Sequence, residues 1–558
     1  MKKCFTILGA LLIVGVAFHG YRQWTGHSLR ASVEETRRQL RQQGFRTDLA
    51  DFNFTLPAEF SARANAIISA GQAVRSLRNA NELEFMQTVG TNVAVAISPV
   101  EIIETYQATN LWPLVRDELA NHDAELDRVC AALFAGPVKF QPTVRPGGDM
   151  LLPYLADHKT LARVLAVRAV LAMHEHNTNA VFANLFALSR MVTAWSPEPI
   201  DISHMVRFAC EGIAQQAIWE SMQTDYWNET QLASLQREWE SVRFIDGLPE
   251  TAELSCANMV RMCQAAREES YSANIGGWGT VFRGIFSSPK SGFQNLWWAI
   301  QGYRQHASYR NRGSYEDEKA LLLYYGDRNQ ELKRAVACST WAEMRALPGA
   351  TNIVIFQGAK PSRIQVVMNL KQLTLASQSQ GHGPTLLARA AAAEARRRLI
   401  VTAIALERYA IQHREYPKSL ADIVPALLPA VPVDFMDGNE LRYRRLGDGR
   451  YLLYSVGPDC VDNGGQMIIP EHLSTRYLPR GGTMILPHLD TDIVWPLRAT
   501  QADVDLFDQQ RKDYESKFPE TTRESWQRYE ANSTPLDTNA PSLPVLPEEE
   551  KQKPGDTP

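Results

Sequence analysis

At 558 residues the chain is too long for one hydrophobic core, and its length predicts roughly two to four domains. Apolar residues make up 45% and charged residues 22% of the chain, which is ordinary for a folded globular protein. The net charge of −4 is small for this length. A nucleic-acid partner would call for a strongly basic balance or patch, so we predict no nucleic-acid binding.

The N-terminus predicts the cellular compartment. Lys2 and Lys3 precede an uncharged apolar run over residues 4–18, which is the pattern of a bacterial signal peptide or short signal anchor. The run is shorter than the ~20 apolar residues that usually span a bilayer, and Ala17 ends a small-residue stretch where cleavage could occur. We predict that residues 1–20 direct export to the periplasm. They would anchor the protein in the inner membrane, or the protein would be released if they are cleaved.

Most of the chain up to residue 270 has a helical pattern. Residues 21–56 predict a charged helical linker and residues 57–270 a helical domain, either a multi-helix bundle or an array of helical hairpins. Two prolines within residues 196–199 end one predicted helix. Asn228 and Gln231 resemble a capping box that begins another. Apolar residues recur at steps of three and four, the spacing of one helix face, at Val181, Leu185, Leu188, Val192 and Trp195.

The cysteines do not predict a disulfide scaffold or a zinc clip. Seven cysteines are few for this length, no CxxC pair occurs, and Cys256 and Cys263 are too far apart for a tight zinc site. We interpret the cysteines as buried free thiols. One or two disulfides are the alternative if the compartment is oxidising.

The middle and the end of the chain differ from the helical domain. Residues 271–385 predict a mixed connecting region, with a buried strand at 352–356 and a loop at 378–384. Residues 501–530 predict a helical extension, and the Pro- and Glu-rich residues 531–558 a disordered tail. The arginines at 396–398 are interpreted as a solvated helix face, because adjacent helical residues point in different directions.

Residues 386–500 carry the most specific pattern. A long amphipathic helix stops at Tyr416-Pro417, and a short helix ends at Pro425. Two alternating strands follow, joined by Asp448-Gly449, which favours a tight hairpin. The fold class is therefore mainly α, followed by a small α+β module in which a long helix packs on an antiparallel sheet.

This order of features resembles the globular domain of the major pseudopilin of type II secretion systems. The matching features are the Tyr416-Pro417 stop, a Pro-x-Asp turn, the Tyr454-Ser455-Val456-Gly457-x-Asp459 segment, a Gly-rich loop and the closing Asp492-Ile493. With its Ala-rich helical region, the whole chain is also similar to large uncharacterised envelope proteins of the Planctomycetes and Verrucomicrobia. These resemblances imply an architecture and no activity.

The resemblance to pseudopilins also implies a calcium site in the C-terminal loop. Calcium takes about six to eight oxygen ligands. The matching ligands are Asp459, with the carbonyl of Val456, and Asp492, while Asp462 is a further donor nearby. An EF-hand is excluded because Val461 occupies the third loop position. The alternative is a metal-free turn of Asp, Asn and Gly residues.

No motif in the chain predicts catalysis. The histidines of His174-Glu175-His176 lack the i, i+4 spacing of a zinc protease, and no Gly-x-Ser-x-Gly elbow occurs. We predict a noncatalytic, envelope-anchored structural or interaction protein whose partners are the membrane and other envelope proteins. The alternatives are an accessory component of a type II secretion or pilus-like system, and an unrecognised extracytoplasmic hydrolase.

Overall fold

The computed structural model describes residues 28–75, 112–144, 150–223, 227–268, 309–347, 375–465 and 492–498. These residues are mainly helical and contain a small antiparallel sheet near the C-terminus, as predicted, and a third strand joins the two that the alternating pattern predicted. Within these ranges no helix combines the length and apolar character needed to cross a membrane. The segments predicted at 1–20, 352–356, 501–530 and 531–558 lie outside the described residues.

The helices and strands follow one another in this order: α1 (28–42), α2 (Ala58–Val74), α3 (Trp112–Ala120), α4 (Asp123–Ala135), β1 (Thr143–Val144), β2 (Met150–Leu151), α5 (Tyr154–His174), α6 (Thr178–Thr193), α7 (Asp201–Ser221), α8 (Glu229–Glu240), α9 (Leu248–Glu268), α10 (Ser314–Val336), α11 (Trp341–Ala346), α12 (Leu375–His413), β3 (Arg442–Arg445), β4 (Tyr451–Ser455) and β5 (Ile493–Trp495). A short 3-10 helix at Leu420–Ile423 precedes the sheet.

The core of the helical part lies between α2 and α4 through α8. The apolar face predicted on α6 is buried as a whole, which confirms its spacing. The predicted capping box at the start of α8 is also confirmed: the Asn228 side chain accepts from the Gln231 N–H at 2.9 Å, and the Gln231 side chain accepts in return. The helix face and the capping box could be predicted from the sequence because each depends on residues only a few positions apart.

Helix α1 is packed against the protein rather than extended away from it. Its apolar residues Val33 and Leu40 join α9 and α10 in a small core with Cys256 and Leu322. On the same face, the buried Arg37 binds Glu318 of α10 and Asp48, which follows α1. The described part of the predicted linker 21–56 is therefore fastened to the helical domain. Residues 309–347, within the predicted mixed region, are helical.

Helix α12 connects the helical part to the sheet. It packs on α7 and α8 along one side and on β4 and β5 along the other. It begins at Leu375, so the loop predicted at 378–384 is wrong. Glycine and proline lower helix propensity without forbidding a helix, and extending an established helix costs far less than nucleating one.

The sheet has the order β3-β4-β5, and both pairs are antiparallel. The predicted hairpin joins β3 to β4, and Gly449 takes the positive φ of 82° that its turn requires. The third strand is the closing Asp-Ile segment, with Ile493 paired to Ser455. Helix α12 packs on the sheet, and because side chains on both faces of β4 are buried, this central strand is covered on both sides.

The interpretation of Arg396, Arg397 and Arg398 as a solvated face is wrong. Arg396 is buried and forms two contacts of 2.6 and 2.9 Å with Glu211 of α7. The other two both bind Glu394, and Arg398 also donates to the Val433 carbonyl at 2.8 Å. The three arginines do point in different directions, but α12 has protein on several sides, so each direction meets a partner.

The six cysteines of the described residues are free thiols. Four of them are buried in the helical part, in agreement with the interpretation from sequence. Cys338 and Cys460 are partly exposed, and the Cys460 thiol donates to the Met436 carbonyl at 3.4 Å. Burial raises the pKa of the Cys130 thiol to about 11, so that thiol stays protonated at neutral pH.

Candidate functional site

The loop at 456–465 follows β4 at one end of the sheet and contains two of the predicted calcium ligands, Asp459 and Asp462. Asp434, of the Pro-x-Asp turn, lies beneath this loop and is fully buried. Its carboxylate accepts from the Met436 and Val456 N–H groups, each at 2.9 Å, and from the Ser455 hydroxyl at 2.7 Å. Burial raises the pKa of Asp434, and these hydrogen bonds partly oppose that rise. Asp434 therefore ties the turn to the end of β4.

Arg442, at the start of β3, connects three carboxylates at this end of the sheet. Its guanidinium lies 2.6 Å from Asp437 and 3.4 Å from both Asp434 and Asp462. Burial opposes ionisation of Asp437, but its hydrogen bonds to Arg442 prevail, and the pKa of Asp437 falls below its usual range. The Arg442 guanidinium thus partly neutralises the negative charge of the carboxylates at this end of the sheet.

The structure places the three predicted calcium ligands around one loop. The Asp459 side chain accepts from the Val461 N–H at 3.1 Å. Asp462 accepts from the Tyr454 hydroxyl at 3.0 Å and the Gly464 N–H at 2.9 Å.

Asp492 returns to the same loop at the start of β5. Its carboxylate accepts from the Gly465 N–H at 2.7 Å and the Asn463 N–H at 3.3 Å. Burial raises its pKa, the two N–H groups lower it, and the negative charges of Asp462 and Asp459 add to the rise. The carboxylates of Asp459 and Asp462 therefore lie close enough to Asp492 to act on it electrostatically.

These ligands agree with calcium in chemical type but do not form a cage. Calcium prefers carboxylate and carbonyl oxygens, which this loop offers. However, Asp462 and Asp492 already face N–H, hydroxyl or guanidinium donors. Within the ranges that the structure describes, no three His, Cys, Asp or Glu side chains converge as metal ligands. Calcium binding remains a prediction.

The loop is held from its other side by α11. The Trp341 indole and the Arg345 guanidinium both donate to the Pro458 carbonyl, at 2.9 and 2.8 Å. The Trp341 and Ala342 N–H groups at the start of α11 donate to carbonyls of the turn after Asp434. No sequence motif indicated α11 as a partner of the module, because it lies more than 90 residues before the loop that it binds.

The helical part contains a second group of candidate functional side chains, which are buried carboxylates. Glu211 is bound by Arg396, Glu318 by Arg37 and Arg267, and Asp157 by Arg75. Burial raises the pKa of Glu211, and the neighbouring Arg396 counteracts the rise. Such pairs hold helices together at fixed positions. The His174-Glu175-His176 segment lies at the C-terminal end of α5, whose last residue is His174.

Comparisons with known proteins give no relative for this chain. No protein-family profile, no curated protein and no solved structure matches it.

Proposed function

We propose that this is a noncatalytic structural or interaction protein of the cell envelope, exported and held at the membrane by its N-terminal segment. In this proposal a pseudopilin-like C-terminal module is presented from a helical scaffold. The main support for the proposal is that α12 packs both on the helical part and on the sheet of the module. The hydrophobic core continues from the helical part along α12 into the sheet without a break.

Polar contacts reinforce the connection between scaffold and module. Arg396 and Arg408 of α12 bind Glu211 of α7 and Glu229 of α8. The Trp219 indole of α7 donates to the Pro496 carbonyl, after β5, at 3.0 Å. A module joined to its scaffold at three separate places is suited to presenting a surface in a fixed orientation.

The state of the buried acids supports a structural role. A general acid or base must exchange its proton with a substrate, which requires access to it. Glu211, Glu318 and Asp157 instead have their carboxylates bound by arginines within the helical part. These charges stabilise the packing of helices.

The second proposal is an accessory role in a type II secretion or pilus-like system, in which the module is borrowed for docking, and the burial of α12 bears on how such a protein would take part. In a pseudopilin, the N-terminal helix runs straight into the globular domain and packs into the pseudopilus. Here Leu386, Ala390 and Ala393 are fully or almost fully buried within the chain's own helical part. This arrangement favours a protein that borrows the module for docking over one that assembles as a pilin subunit.

Two experiments test the proposed function. A periplasm-active reporter fused after Asp51 should be active, and a cytoplasm-active reporter at the same position should be silent. The opposite pattern would refute export. For the interaction role, the full-length protein is cross-linked in envelopes and captured. Recovery of defined envelope partners supports the first proposal, and enrichment of secretion components supports the second.

A matched pair of surface variants tests whether the module loop is the part of the protein that binds the captured partner. Val461, in the module loop, is 55% exposed, and Ile202, on α7, is 47% exposed. If the module loop carries the interaction, Val461→Glu should lose the captured partner while Ile202→Glu keeps it. Equal capture by both variants would place the interaction elsewhere.

A further inference from the structure

One buried carboxyl differs from all the others in the described residues. Glu198 is only 5% exposed, yet no Arg, Lys or His nitrogen of the described chain lies within ion-pair distance of it. Every other buried acid accepts from an arginine, a side-chain amide or a backbone N–H. An uncompensated charge at such a position would be costly.

The surroundings of Glu198 are polar but neutral. It lies in the Pro197-Glu198-Pro199 connection between α6 and α7. The Tyr154 hydroxyl, from the first turn of α5, and the Ser203 hydroxyl, from the first turn of α7, face its carboxyl. All three side chains are buried, and none of them closes a well-aligned hydrogen bond. The carboxyl of Glu198 thus lies between the N-terminal turns of α5 and α7, which form the joint between these two helices.

The titratable groups on the neighbouring helices do not compensate Glu198. His158 and His204 are buried, and burial lowers their pKa values to about 4 and about 3, so both are neutral at ordinary pH. The charged groups nearby have partners elsewhere: Asp157 binds Arg75, Arg190 binds Glu238, Glu211 binds Arg396, Arg207 donates to the Val192 carbonyl, and Lys159, Arg163 and Asp201 also make contacts.

We propose that Glu198 is a pH-sensitive latch: its carboxyl is held neutral and protonated at the joint of α5 and α7, and its ionisation loosens that joint. On ionisation the proton passes to solvent, and the carboxylate then has to leave the joint or draw water into it. The two prolines keep the connection short and stiff, so movement of Glu198 is transmitted to the start of α7.

The direction of the pH dependence follows from the burial of Glu198. Burial raises its pKa, and the Ser203 and Tyr154 hydroxyls only partly oppose this. In the unfolded chain a glutamate titrates near pH 4.3. The stability contributed by the proton is therefore fully present below about pH 4.3 and is lost as the pH rises through the folded pKa.

The test compares chemical unfolding of the full chain and of Glu198→Gln from about pH 4 to about pH 9. Glutamine keeps the shape and cannot ionise. We expect similar stability near pH 4, and above it the folding equilibrium constant of the unaltered chain should fall relative to the variant by up to about tenfold per pH unit, until the folded pKa is passed. Glu34→Gln, at an exposed position on α1, is the control and should show no such divergence.

A second measurement does not depend on how the variant folds. Amide hydrogen exchange of residues 196–203 in the unaltered protein, corrected for the intrinsic effect of pH, should speed up over the same range, while that of α9 should not. A pH-independent difference between the two proteins, or unchanged corrected exchange at 196–203, would overturn the proposal. Neither result bears on export or on partner capture.

Discussion

Two buried carboxyls, Glu211 in the helical part and Asp434 in the module, are stabilised by different means. Glu211 is bound by a single buried cation, Arg396, from a helix far away in sequence. Asp434 is bound mainly by neutral donors close to it in space, two backbone N–H groups and the Ser455 hydroxyl, with Arg442 more distant at 3.4 Å. The first joins two helices through charge, and the second shapes a turn through hydrogen bonds.

This difference predicts different consequences of losing the acid. Removal of Glu211 leaves a buried guanidinium without its counter-charge, whereas removal of Asp434 leaves neutral donors, some of which water can reach once the turn relaxes. The cost of an unpaired buried charge exceeds that of an unpaired neutral donor. The helical joint should therefore be the more sensitive of the two regions.

The largest effect is expected for Glu211→Ala. It should lower the free energy of unfolding by roughly 3–5 kcal/mol, because Arg396 then remains buried and uncompensated. Urea unfolding of the full chain, followed by far-UV circular dichroism, measures the change.

A double variant separates charge from packing at this joint. Glu211→Leu combined with Arg396→Met replaces the pair by apolar side chains of similar size, and should recover most of the lost stability. If the double variant is as unstable as Glu211→Ala, the loss reflects packing rather than the unpaired arginine.

A smaller effect is expected for Asp434→Ala. It should cost roughly 1–3 kcal/mol, because the Met436 and Val456 N–H groups and the Ser455 hydroxyl lose their acceptor. The loss should appear in the unfolding of the module, measured by hydrogen exchange in β4. Glu440→Ala removes an exposed carboxyl from the same turn and should leave β4 protected. Equal loss of protection in both variants would contradict the role given to Asp434.

The smallest effect is expected at the loop carboxylates. If the loop binds calcium, calcium at about ten times its Kd should raise the Tm of the full chain by about 1 °C through mass action. Asp459→Ala and Asp492→Ala should remove this rise, and Asp462→Ala should reduce it less. An identical melting curve with calcium and with chelator would leave the loop as a metal-free turn held by Asp492 and Arg442.

Much of the fold was predictable because its signals are local. The helix face on α6, the capping box of α8, the break at 196–199 and the hairpin at Asp448-Gly449 each depend on residues within a few positions of one another. The resemblance to pseudopilins implied that Asp492 lies at the loop, and its carboxylate does accept from the Gly465 N–H there.

The sequence by itself therefore determined the local features, namely the helix faces, the capping box, the breaks and the module hairpin, but not the start of α12 at Leu375 or the helices within 309–347. Only the tertiary structure decided which charges are buried and paired. Arg396 and Glu211 lie 185 residues apart, and Glu198 meets Tyr154 only because α5 and α7 pack together. Helical periodicity indicates where a side chain points, but whether solvent, an opposite charge or an apolar surface lies there depends on long-range packing.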